Sequence, residues 1–193
     1  MRIVSIEKRL AQLARSRQTP ARLFFGYALW IGLIPPVSAF FGTWRHGWPL
    51  GVAEPIAVSP PEALAIAALY ALALIVGFLA TALVIKWMAA TYAEQADLRG
   101  CFAVVAVAGT PIMLGGVAHL YPSILLHIII LAPVFAFSAY LLFAAIPPLL
   151  RTNRDRGVLM GCAVLGFLVT AFLSLLGLSA ILWVHGVGPD LGV

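Results

Sequence analysis

The chain has 193 residues, 63% of them hydrophobic and 10% charged, with a mean hydropathy of +1.05 and a formal net charge of +5. That balance excludes a soluble globular domain and places the chain among polytopic membrane proteins. The positive charge does not indicate nucleic-acid binding, because its carriers sit beside apolar stretches and no long polar segment remains to read a groove.

Residues Met1–Arg17 predict an amphipathic helix: Ile3, Ile6, Leu10 and Leu13 recur at helical spacing, and Arg2, Lys8, Arg9, Arg15 and Arg17 form a charged edge. Such a helix lies on the membrane surface with its basic residues toward anionic lipid. Gln18-Thr19-Pro20 ends it, so residues 1–22 form a cytoplasmic interfacial segment and residues 23–193 a transmembrane domain.

Five apolar stretches follow, at Leu23–Thr43, Pro60–Ala89, Cys101–Leu120, Ser123–Ile146 and Gly157–Val184. Each reaches the roughly 20 residues that cross a bilayer core. The strand-like alternation of a membrane β-barrel is missing from runs such as Leu64–Leu74. The fold class is therefore all-α, with five transmembrane helices behind an amphipathic interfacial helix. Of the twelve Lys and Arg residues, only Arg45 falls on the outer side of this map; Arg22, Lys86, Arg99, Arg151, Arg154 and Arg156 join the five N-terminal ones on the other. Basic residues resist translocation, so the N-terminus is expected in the cytoplasm and the C-terminus outside. In a bacterium the membrane would be the inner one. Val37-Ser38-Ala39 also resembles a signal cleavage site, but cleavage there would break this charge parity.

Within the spans, Pro35-Pro36 deprives the carbonyls of Ile31 and Gly32 of their usual donors and predicts a kink or break. Pro111 and Pro133 predict further kinks, and the fourth span is expected to stop at Pro147-Pro148. Ser59-Pro60-Pro61-Glu62 spells the start of the second span: a Ser cap, Pro at the first helical position and Glu at the third. His119–Ser123 is so short that the third and fourth spans must form an antiparallel hairpin.

Candidate chemistry is sparse. All seven carboxylates (Glu7, Glu54, Glu62, Glu94, Asp97, Asp155 and Asp190) fall outside the spans proper, Glu62 at the capping start of the second, which disfavours a proton-coupled pump and leaves no catalytic residue to name. Cys101 and Cys162 lack metal-ligand spacing and read as small packing residues. His46, His119, His127 and His185 all map to the outer face, His119 and His127 at similar depth on either side of the hairpin. Imidazoles at one level suit a transition metal, but no HxxxH or HExxH spacing supports it, so neither metal nor cofactor is expected.

Small residues give a stronger pattern. Gly157 and Gly161 form GxxxG, and Gly166, Thr170 and Ser174 extend the four-residue spacing along the fifth span; Ala73 and Gly77 do the same in the second. Such stripes let helix backbones approach closely, within the bundle or against a second copy or another membrane protein.

From the first span onward the chain resembles the Yip (Ypt-interacting protein) family, particularly its prokaryotic five-pass branch. The residues that carry the resemblance are Leu33-Ile34-Pro35-Pro36 with Phe41-Gly42, then Thr110-Pro111, Gly115-Gly116-Val117 and Leu120-Tyr121-Pro122, and finally Tyr140–Leu150 with its Pro147-Pro148-Leu149 turn. The resemblance implies five spans with the N-terminus inside. It implies a non-enzymatic role in binding partners and organising membranes, as eukaryotic relatives do with Rab-type GTPases. The alternative is a small-solute permease or channel built on the proline-bearing spans.

Overall fold

The computed structural model describes residues 10, 12–13, 19–48, 55–92, 97–121 and 123–185. Arg2, Lys8, Arg9, Arg15 and Arg17, with Ile3 and Ile6, lie outside the described residues. Five helical stretches are long and apolar enough to cross a membrane. Among the described residues the only β-type pairing is a single antiparallel bridge between Trp48 and Ile56.

The first stretch is segmented. Thr19 caps α1 (Pro20–Leu23) by accepting the Arg22 N–H at 3.2 Å, with Pro20 at a position where no donor is lost. A π-helical turn, Phe24–Ala28, leads into α2 (Leu29–Gly32). The helix then breaks at Leu33 and restarts as α3 (Ile34–His46), with Pro35-Pro36 in its opening turn. The expected break thus lies just ahead of the prolines, where their missing N–H groups cost least. Gly47, at φ 73°, ends α3 and turns the chain into the Trp48–Ile56 bridge, whose two hydrogen bonds are 2.8 and 3.0 Å long.

Helix α4 (Pro60–Tyr92) starts at the expected motif: Ser59 donates both its backbone N–H (2.9 Å) and its hydroxyl (2.7 Å) to the Glu62 carboxylate. Helix α5 (Leu98–Gly115) begins three residues earlier than the apolar stretch, capped by Asp97, which accepts the Gly100 N–H at 2.7 Å. It continues unbroken across Pro111 and tightens into a 3-10 turn, Gly116–Leu120.

Helix α6 (Ile124–Leu150) passes Pro133 and also runs through Pro147-Pro148 instead of stopping there. Pro147 and Pro148 withdraw the helical donors of the Phe143 and Ala144 carbonyls, and that cost is offset because Ile146, Leu149 and Leu150 gain deep burial by staying helical. The chain turns only at Arg151, in the left-handed conformation (φ 53°, ψ 44°), with the Thr152 N–H returning to the Pro147 carbonyl at 3.2 Å. Helix α7 (Arg154–Val184) follows, its start capped by Asn153, which accepts the Arg156 N–H at 2.9 Å.

Burial is concentrated at one end of the bundle. Ala82, Ile85 and Ala89 of α4, Cys101 and Val104 of α5, Ala145, Ile146 and Leu150 of α6, and Met160 and Val164 of α7 meet there in one cluster. This is also the end carrying Lys86, Arg99, Arg151, Arg154 and Arg156. Leu10 and Leu13 join this cluster, and the Arg99 side chain donates to the Leu13 carbonyl at 2.7 Å. The part of the N-terminal segment that is described therefore packs its apolar face against protein rather than lipid.

At the opposite end the contact is backbone on backbone. A Cβ on Gly42 of α3 would collide with the His119 carbonyl, and one on Gly116 would sit 2.5 Å from the Pro35 ring, itself fully buried. Pro35 and Gly42 of α3, far from the hairpin in sequence, thus meet Gly116 and His119 of the 3-10 turn in one junction, while a Cβ on Gly115 would meet Val134 of α6 at 3.1 Å. Gly42→Ala is expected to lower stability by about 1–3 kcal/mol, because backbone cannot yield as a flexible side chain can. Thermal unfolding in detergent followed by circular dichroism measures it, with Gly32→Ala, where a Cβ meets open space, as the comparison.

Candidate functional site: a histidine pair at the hairpin

Apart from the helices' own ladders, the longest run of linked polar groups among the described residues sits on this junction. The two imidazoles at the hairpin stack with centroids 5.0 Å apart, and His119 Nδ1 lies 2.9 Å from His127 Nε2. On the far side of His127, Nδ1 is 2.7 Å from the Ser123 carbonyl oxygen. On the far side of His119, Nε2 is 3.2 Å from the Tyr70 hydroxyl of α4, whose ring also stacks on the imidazole.

Local structure sets each member in place. Ser123 caps α6 by accepting the Leu126 N–H, which puts His127 one turn in, directly over the Ser123 carbonyl. The 3-10 turn carries His119, held from below by Gly42. Tyr70 reaches over from α4.

One fixed acceptor sets the polarity of the chain. A carbonyl oxygen only accepts, so His127 Nδ1 carries a proton; in neutral His127 the Nε2 then accepts. His119 must donate to it from Nδ1, leaving its own Nε2 to accept from the Tyr70 hydroxyl. The direction is Tyr70 to His119 to His127 to Ser123, and every ring nitrogen is used.

His46 packs its ring edge-on to Tyr121 at 5.2 Å, beside the pair but outside the chain. His185 is exposed near the end of α7. Among the described residues no three His, Cys, Asp or Glu side chains gather as a metal site would require. Cys101 is buried in the core and Cys162 is exposed on α7.

A second polar link joins the first span to α5. Thr110 donates to the Ala106 carbonyl at 2.6 Å, so the Tyr27 hydroxyl, 2.9 Å away, donates to Thr110. Tyr27 lies in the π-helical turn, where one extra residue rotates the side chains that follow.

The small-residue positions divide into two groups. A Cβ on Gly157 would meet the Pro147 ring at 2.9 Å and one on Gly161 the Phe143 ring at 2.5 Å, so this GxxxG seats α7 on α6. Gly166 and Gly77 have nothing within 4 Å of a Cβ; Thr170 and Ser174 are exposed, and Ala73 is half-buried. Pro111 is half-buried and Pro133 exposed, both inside continuous helices.

Sequence reasoning placed His119 and His127 at one level but missed Tyr70, which is 49 residues from His119 and belongs to a helix without an amphipathic period. A lone tyrosine in the middle of an apolar helix was the available signal.

The model of the Yip1 domain matches residues 6–186. The chain is 28% identical over 180 residues to inner membrane protein YohC of Escherichia coli strain K12, covering 93% of this chain and 92% of that protein, and the same figures hold for YohC of Escherichia coli O6:H1 strain CFT073. No solved structure matches.

Tyr70→Phe is expected to cost about 1 kcal/mol by removing the donor to His119 Nε2. In a double-mutant cycle with His119→Phe the combined loss should equal that of His119→Phe alone, since that variant already removes the Tyr70 bond along with the one to His127. Unfolding midpoints in detergent measure both.

Proposed function

The chain belongs to the Yip1 domain family, and from that premise we propose that it is a non-enzymatic scaffold of a bacterial inner membrane, associating through α7 with a second copy of itself. The single observation that carries this reading is the state of α7 beyond Val164. From Leu168 to Ile181 nearly every side chain is exposed, Phe172 at 61% and Ile181 at 57% among them. Lipid can solvate the leucines there. Gly166, Thr170 and Ser174, however, form a narrow small-residue face with its hydroxyls and its open glycine turned away from the rest of the chain. A second helix fits closely against such a face, where dispersion contacts accumulate without a large side chain in between.

The tightly filled Arg-rich end supports a scaffold over a permease. Ile85, Val104, Ile146, Leu150, Met160 and Val164 are fully buried there, across four helices, where a solute path would have to run. The same end, with Arg99, Arg151, Arg154 and Arg156, suits the anionic inner leaflet, and this charge asymmetry supports a cytoplasmic N-terminal segment. The inner membrane is also what the name of the Escherichia coli relative states for that protein.

The test separates the two glycine groups. Gly166→Leu combined with Thr170→Leu is expected to convert the detergent-purified assembly to a monomer, read by size-exclusion chromatography with light scattering, without loss of thermal stability. Gly161→Leu is expected to destabilise the monomer itself by about 1–3 kcal/mol, through the Phe143 ring. An unchanged mass for the Gly166/Thr170 variant contradicts the proposed interface.

A further inference from the structure

The hydrogen-bonded chain on the hairpin has a property that the scaffold reading does not require. Its polarity is set entirely by the Ser123 carbonyl, and it contains two titratable rings coupled through one N···N bond of 2.9 Å. We propose that His119 and His127 form a binding site for a single exchangeable proton, whose uptake reverses Tyr70 from donor to acceptor.

The proton balance is simple. In the neutral pair, His119 carries its proton on Nδ1 and His127 on Nδ1, leaving His119 Nε2 as the one ring nitrogen whose partner, a hydroxyl, can act either way. An incoming proton adds to His119 Nε2, and the Tyr70 O–H rotates to accept from it. The pair is then an imidazole and an imidazolium sharing the inner proton, which sits on His119 Nδ1 or, after transfer, on His127 Nε2. The net change is one proton gained and one positive charge, with no bond to the backbone broken. A second proton is excluded while the rings stay in place. It would set an N–H on His119 against an N–H on His127 at a separation that only an N–H···N bond tolerates. The chain also ends on a carbonyl, which cannot take up a proton at neutral pH, so the site stores a proton rather than conducting one.

Among the described residues no carboxylate is bonded to either ring. The titratable groups on the pair and its hairpin are Tyr70 from α4, bonded to His119, and His46 from α3, packed on Tyr121. Helices α3, α5 and α6 and the 3-10 turn contain no Asp or Glu, and Glu62, the only carboxylate of α4, is held by Ser59. Protonation therefore places a charge with no carboxylate partner among the described residues on the junction where Gly42 and Gly116 hold α3 against the hairpin. The pair thus couples outer-face acidity to the packing of the first span, independently of whether α7 binds a second copy.

Histidine side-chain nitrogen NMR on the ¹⁵N-labelled full chain in lipid nanodiscs reads this directly, with His119→Phe and His127→Phe supplying assignments. At about pH 8 both rings are expected as the Nδ1–H tautomer, the minor form of a free imidazole. Acidification should add one proton to the two rings jointly for as long as circular dichroism shows the fold intact. In His127→Phe, His119 should revert to the Nε2–H tautomer and donate to Tyr70. An Nε2–H tautomer on either ring of the native protein at high pH overturns the proposal, as does independent uptake of two protons by the folded chain. Should His127→Phe fail to fold, the tautomers and proton count of the native chain still decide it.

Discussion

Hydrocarbon offers a peptide group no partner, and this constraint shapes every part of the molecule. It accounts for the near-absence of strand pairing among the described residues, for the capping of α1, α5, α6 and α7 by Thr19, Asp97, Ser123 and Asn153, for the Ser59–Glu62 pairing that opens α4, and for the position of the break in the first span. It also explains where backbones come together. In lipid, helices are not driven together by an apolar difference, so attraction depends on close approach. Gly42 beneath the His119 carbonyl and Gly116 beneath the Pro35 ring are such approaches, made possible by the lack of a side chain.

The two ends of the bundle are built on different principles. At the Arg-rich end, large aliphatic side chains from four helices interlock around Ile85, Ile146, Leu150 and Met160, and Leu10 closes the cluster from the N-terminal segment. At the histidine end the helices are joined by glycine, proline and a directed line of hydrogen bonds. Helix α7 leaves the bundle just past Val164, the last of its core residues.

Much of this was legible from residue order because the controlling signals are local. Span lengths follow from hydropathy, the start of α4 from Ser59–Glu62, and the interruption of the first span from two adjacent prolines. The residues that carry the Yip resemblance were visible, but not that Pro35 meets Gly116 and Gly42 meets His119, because that depends on how α3 crosses the hairpin. Proline gave a misleading stop at Pro147-Pro148: local backbone cost was outweighed by the burial of Ile146, Leu149 and Leu150, a tertiary gain no local rule contains. Periodicity likewise could not sort Gly161, under Phe143, from Gly166, which is open, since both lie on the same helix and differ only in where α6 ends its contact. The π-helical turn at Phe24–Ala28 has no sequence signature of its own.

The account stands on five passes through lipid with the Arg-rich end in the cytoplasm. Cysteine accessibility in intact cells tests this most directly, on a background where Cys101 and Cys162 are replaced by alanine and single cysteines are placed at Ala57, beside the Trp48–Ile56 bridge, or at Arg154, at the start of α7. A membrane-impermeant maleimide added from outside should label the cysteine of Ala57→Cys and leave that of Arg154→Cys unlabelled until the membrane is opened. Labelling of the Arg154→Cys protein in sealed cells, with Ala57→Cys protected, would contradict the orientation and the proposed contact of its basic residues with the inner leaflet.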